Sequence, residues 1–159
     1  MKAIALVYQV PKNGPQIVGI FPDGNLDELT KEEILSSSQQ VEEEETSAEY
    51  IVPGSLGLIN IFFTIPSRWS MENCEKVVIS LLFQKGCDLD AGIQELRPRL
   101  SNLIYQLKNG EDIFKAFYAN YVYSFPEEER PKIREKNAEI REMLENFYSS
   151  VVIENYHQE

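Results

Sequence analysis

The apolar positions of this chain follow strand-like alternation near its start and helical spacing beyond Gly86. From Ala3 to Val10, residues Ile4, Leu6, Tyr8 and Val10 share one face while smaller or polar residues take the other, which predicts a strand. Pro11-Lys12-Asn13-Gly14-Pro15 then carries the Asn-Gly pair of a hairpin turn, and Gln16 to Phe21 supplies the returning strand. Pro15 suits a position where no ladder N–H is required. Thr30 and Glu33 match a capping box and Leu29 and Ile34 its hydrophobic staple, so a short helix is expected from about Lys31. Ser36 to Thr46 loses periodicity and reads as a solvated loop with room for a weak edge strand.

From Glu49 to Gly86 the pattern spells a second hairpin followed by an amphipathic helix. Val52-Pro53-Gly54-Ser55 suits a type II turn, because proline presets φ at its second position and glycine accepts positive φ at its third. From Leu56 to Ile65, alternation places Ile59, Ile61, Phe63 and Ile65 opposite Leu58, Asn60, Phe62 and Thr64, so both faces of this strand need cover and it is expected at the centre of the sheet. After Pro66, the residues Met71, Cys74, Val77, Val78, Leu81 and Leu82 fall on one helical stripe, with Ser70 as N-cap and Gly86 just past the end.

Beyond Gly86 the chain reads as helical throughout. Ile93, Leu96, Leu100, Leu103, Ile104 and Leu107 keep helical spacing up to Asn109-Gly110, provided that the helix begins close to Pro98. Ile113, Phe114, Phe117 and Tyr121 predict a second, aromatic helix. From Glu127, a charged helix carries Ile133, Asn137, Ile140, Leu144, Phe147 and Val151 at alternating spacings of four and three, a narrow seam about three heptads long. Packing on the domain's own core is the favoured use of that seam, with self-association or docking of another helix as the alternative. The expectation is a core over residues 1–109 and a helical extension over 110–159 packed on it, monomeric in preference to a homodimer.

Composition changes this picture chiefly by exclusion. A chain of 159 residues, 43% hydrophobic, can bury roughly 70% of its unfolded surface, so it needs neither disulfide nor metal to fold. The net charge of −11 opposes nucleic acid and direct binding to anionic membrane. Ten acids and one lysine between Asp23 and Glu49 hold −9 of that charge, so acidity is local. Only Cys74 and Cys87 are present and are expected as reduced thiols; with no signal peptide or membrane span in the pattern, the expected location is the cytoplasm.

Chemistry leaves few marks. There is no Walker-type or dinucleotide-binding glycine loop. His157, the single histidine, has nothing to orient it as a base or metal ligand. Asp88-Leu89-Asp90 begins like a calcium loop, but Ile93 stands where glycine is required and Arg99 where the bidentate glutamate belongs. No cofactor, metal or catalytic residue is expected. A pocket lined by convergent polar groups would instead favour a small-molecule sensor, and a substrate-sized cleft with a buried carboxylate would favour an enzyme.

Three segments carry a family resemblance: KAIALVYQV with its return strand QIVGIF, the capped helix at LTKEEIL, and the junction LGLINIFFTIPSRWSMENCEKVVISLLF. Together they resemble longin or SNARE-like domains, including the small adaptor-complex subunits, over roughly Met1 to Leu107. That resemblance implies an α+β fold in which a small antiparallel sheet lies between a helix that follows the first hairpin and helices that follow the last strand. The strand that longins place between the first helix and the second hairpin is not visible, its span being taken by Glu42 to Glu45. No long heptad segment, anchor or prenylation box follows the domain, which argues against a fusion SNARE. The resemblance implies a non-enzymatic interaction platform, a small-GTPase regulator or a subunit of a trafficking-like complex, with a small GTPase or another longin- or roadblock-type subunit as partner. Candidate contact residues are Arg68 and Trp69, whose types are those of an interface hot spot unless Trp69 folds back as a core lid. The others are Glu42, Glu43, Glu44 and Glu45, suited to steering a basic partner, and Ile140 and Leu144 on the seam.

Overall fold

Two hairpins and one additional strand form a single antiparallel sheet with helices on both faces. The computed structural model describes residues 1–22, 26–38, 50–53, 57–84 and 86–157. Strands β1 (Ala3–Val10), β2 (Gly14–Phe21), β3 (Tyr50–Pro53), β4 (Leu58–Pro66) and β5 (Cys74–Leu82) pair in the order β2-β1-β5-β4-β3. Helix α1 (Glu28–Ser38) follows the first hairpin, whereas α2 (Leu89–Asn109), a 3₁₀ helix (Ile113–Ser124) and α3 (Arg130–His157) follow the last strand.

The first hairpin forms as expected, with Lys12 and Gly14 at positive φ in its turn and Pro15 on β2, an edge strand. On β1 and β4 the anticipated faces are also those observed. Ile4, Leu6, Tyr8, Ile59, Ile61, Phe63 and Ile65 enter the larger core, beneath α2, α3 and the 3₁₀ helix. Ala3, Ala5, Val7, Leu58 and Phe62 enter the smaller one with Ile34 of α1.

The segment expected as a helix from Ser70 is instead strand β5, and it is the middle strand of the sheet in place of β4. Val77, Ile79 and Leu81 face the larger core, while Val78 and Leu82 face the smaller. A short apolar run matches helical and strand spacing alike; here its β-branched residues and the cover on both faces decide for the strand. Met71 projects fully into solvent, and Ser70 is no N-cap but part of the β4–β5 turn. That turn closes through Asn73 at φ 62, whose carbonyl accepts from the Ser67 amide at 3.0 Å.

Helix boundaries also shift. Asp27, not Thr30, caps α1 by accepting from the Thr30 amide at 2.8 Å, and hydrogen bonds from the Thr30 hydroxyl and amide hold its carboxyl below the usual range. Leu29 is 75% exposed, so no staple forms; Ser36, Ser37 and Ser38 belong to α1 and not to a loop. The acidic stretch Glu42 to Glu45 and the tip of the β3–β4 turn lie outside the described residues. Asp88 caps α2 by accepting from the Asp90 and Ala91 amides, and Pro98 lies well inside that helix on an exposed side. The aromatic segment is helical as expected, of the 3₁₀ type and with a kink at Tyr121. Ile133, Ile140, Leu144, Phe147 and Val151 of α3 are all buried, and Asn137 donates to the Ala116 carbonyl at 3.4 Å. Among the described residues no helix is long and apolar enough to cross a membrane.

Candidate functional site

Strands β1 and β5 stay paired only as far as Tyr8 opposite Val77. Each continues past that point with its own hairpin partner: β1 runs on to Val10 opposite Gly14, and β5 begins at Cys74 opposite Pro66. The two hairpins therefore part at one end of the sheet. A cleft of about 770 Å³ opens there, with Tyr8, Val10, Trp69, Cys74, Glu75 and Tyr118 among its lining residues. Its size lies within the range of sites for small organic ligands.

Glu75 is the chemical centre of this cleft. It stands on the core-facing side of β5 in line with Val77 and Ile79 and is only 2% exposed. Its carboxylate accepts from the Tyr118 hydroxyl at 2.8 Å and from the Tyr8 hydroxyl at 3.3 and 3.4 Å. Burial raises the Glu75 pKa above the ordinary glutamate value, although hydrogen bonds from Tyr118, Tyr8 and Ser67 pull the other way. Burial and the adjacent carboxylate likewise raise both phenols, Tyr118 to about 12. Cys74 is half-buried and its thiol is pushed up by burial and by Glu72, so it is not an activated nucleophile.

Because the Glu75 carboxyl has a higher pKa folded than unfolded, the folded state holds its proton more tightly. This contribution to stability is full below the unfolded pKa and is lost as pH rises through the folded one. Glu75→Gln mimics the protonated form. Its melting temperature should exceed that of the unaltered chain at alkaline pH, with the gap closing on acidification as the carboxyl gains its proton. A gap that widens on acidification in thermal scans would contradict the direction of this shift.

Beside the cleft, the β4–β5 turn is clamped to the 3₁₀ helix. Trp69 packs edge-on against Phe114 and Tyr118, each at 5.2 Å between ring centres, and stacks on Phe125 at 4.8 Å. These contacts tie the turn to the helix. Arg68 lies over the Phe114 ring and pairs with Asp112 at 2.6 Å, which holds the Asp112 carboxyl below its usual range. Lys115, with a side chain only 3% exposed, pairs with Glu129 at 3.0 Å and Asp112 at 3.6 Å and reaches over the Trp69 ring. A buried lysine with two carboxylates meets the condition for keeping its charge out of water.

Of the residues singled out as partner contacts, Arg68 and Trp69 adjoin the cleft, and Trp69 also lines it. Ile140 and Leu144 are fully buried within the chain, so neither offers a surface for another molecule. The glutamates from 42 to 45 lie outside the described residues. Tyr8, Glu75 and Tyr118 were not singled out as a site. Their signal is a charged residue on the inward face of an apolar strand, visible only once Cys74–Leu82 is read as a strand. Among the described residues no group of three histidine, cysteine or acidic side chains could hold a metal ion. Comparison with known protein families, curated proteins and solved structures returned no match.

Proposed function

We infer that this chain is a non-enzymatic interaction module of longin type, acting as a small-GTPase regulator or as a subunit of a trafficking-like complex. The observation that carries this reading is the layered order of elements. A helix follows the first hairpin on one face of the sheet, and helices follow the last strand on the other. Reading Cys74–Leu82 as a strand supplies the fifth strand that the resemblance requires, since β3 then stands between α1 and the β4–β5 hairpin. Burial of the α3 seam within the chain favours a monomer that meets its partner through another surface. The test is affinity capture on the immobilised full chain, followed by reconstitution from purified components in a calorimeter. A stoichiometric complex with a small GTPase or a longin- or roadblock-type subunit is expected. Failure to reconstitute any such complex would overturn the reading.

The cleft favours a second reading, a small-molecule sensor. Tyr8, Glu75 and Tyr118 converge in its lining in the manner of a polar anchor within an apolar pocket. A buried carboxylate also suits an enzyme, but here it is engaged by two tyrosine hydroxyls, and the neighbouring thiol is held protonated. That arrangement suits holding a ligand better than transforming it.

A further inference from the structure

Glu75 is a carboxylate buried among neutral partners. Its hydroxyl donors come from β1 through Tyr8, from the β4–β5 turn through Ser67 and from the 3₁₀ helix through Tyr118. Two lysines on neighbouring elements are committed elsewhere: Lys76 pairs with Glu72 at 3.7 Å, and Lys115 with Glu129 and Asp112. An ionised carboxylate withdrawn from water without a cation is costly, and an incoming positive charge recovers that cost. A carboxylate has about four acceptor positions, more than the three hydroxyl donors fill.

The surrounding walls suit the same guest. Tyr118 and Tyr121 line the cleft with aromatic rings, which attract organic cations, and Val10, Pro11 and Met71 add apolar lining.

We propose that the cleft between the parted hairpins binds a small organic amine, its ammonium docked on the Glu75 carboxylate and its apolar body held between the β1–β2 turn and the β4–β5 turn. This assignment rests on the ligand-binding reading of the cleft and names the class of ligand. Lys12 at the cleft makes an organic acid the competing ligand, and the test separates the two.

Two cysteines provide the readout. Cys74 lines the cleft, whereas Cys87 is exposed and lies outside its lining, so protection of one against the other reports occupancy. The full chain is alkylated with iodoacetamide, and modification at each cysteine is followed by mass spectrometry. Three probes share one phenyl body: 2-phenylethylammonium, 2-phenylethanol and 3-phenylpropionate. The amine should slow modification of Cys74 and leave Cys87 unchanged. The alcohol should need about tenfold higher concentration for equal protection, the ratio supplied by about 1.4 kcal/mol from one charge-assisted contact. Glu75→Gln should erase the preference for the amine. Equal protection by the alcohol, stronger protection by the acid, or a preference that survives in Glu75→Gln would overturn the amine assignment while leaving the cleft as a ligand site. Protection by none of the three would overturn the ligand-binding reading itself. The comparison on the unaltered chain decides the matter even if Glu75→Gln fails to fold.

Discussion

Truncating Leu144 to alanine should cost about 3 to 4 kcal/mol of unfolding free energy, the upper middle of the range for a leucine lost from a packed interior. Leu144 is fully buried, and α3 approaches β2 so closely that a Cβ on Gly19 would stand only 3.1 Å from Leu144 Cδ1. That close approach leaves little room for the helix to settle into a vacated space, so the cavity term should be retained rather than relaxed away. Urea denaturation should show a lower midpoint with an unchanged slope, because the surface exposed on unfolding stays nearly the same. A loss below about 0.5 kcal/mol, as for exposed sites, would mean that the seam does not pack on its own sheet. Sedimentation supplies the complementary result: the unaltered chain should run as a monomer, and a dimer that dissociates on Leu144→Ala would assign the seam to a second copy.

Trp69→Ala should be nearly as damaging, at about 3 kcal/mol, the lower end for a tryptophan because this one is only partly buried. Its ring contacts Phe114, Tyr118 and Phe125 and lies under the Lys115 ammonium, so its removal loosens both the β4–β5 turn and the 3₁₀ helix. The neighbouring Arg68→Ala provides the contrast. That side chain is largely exposed, and its ion pair with Asp112 is open to solvent, so the urea midpoint should barely move. If Trp69→Ala leaves the midpoint unchanged but abolishes partner binding, the lid reading fails and the hot-spot reading stands.

The alternating strands were legible because each shows one periodicity without competition. In β1 and β4 the large apolar residues repeat at every second position, and their two faces enter the two cores as the spacing implies. The α3 seam was legible for the same reason at helical spacing, since no strand pattern fits Ile133, Ile140, Leu144, Phe147 and Val151. The segment from Ser70 to Phe83 was ambiguous. Its apolar half, Val77 to Phe83, satisfies both periods, and what decides between them is tertiary: β1 on one side, β4 on the other and helices on both faces. Asn73 was the available local clue, because asparagine readily takes the left-handed conformation that closes this turn.

The candidate site was lost with that single strand. On a helix, Glu75 falls at the edge of the apolar stripe, where a charge reaches solvent and invites no comment. On β5 it shares a face with Val77, Ile79 and Leu81, and an inward charge between apolar residues demands a partner. Tyr118 comes from the 3₁₀ helix, 43 residues further along the chain, a separation that no local pattern bridges. The Lys115 network was hidden in a similar way, since Glu129 lies 14 residues away across the turn into α3.

The fifth strand of the layered fold, the parting of the hairpins and the inward placement of Glu75 all depend on Cys74–Leu82 being the middle strand. Nuclear Overhauser contacts between backbone protons of the folded chain test this most directly. Ile79 should show cross-strand contacts to Leu6 of β1 on one side and to Ile61 of β4 on the other, its register partners in the sheet. Sequential helical contacts between residues three apart over Cys74–Leu82, with neither cross-strand contact present, would contradict the account.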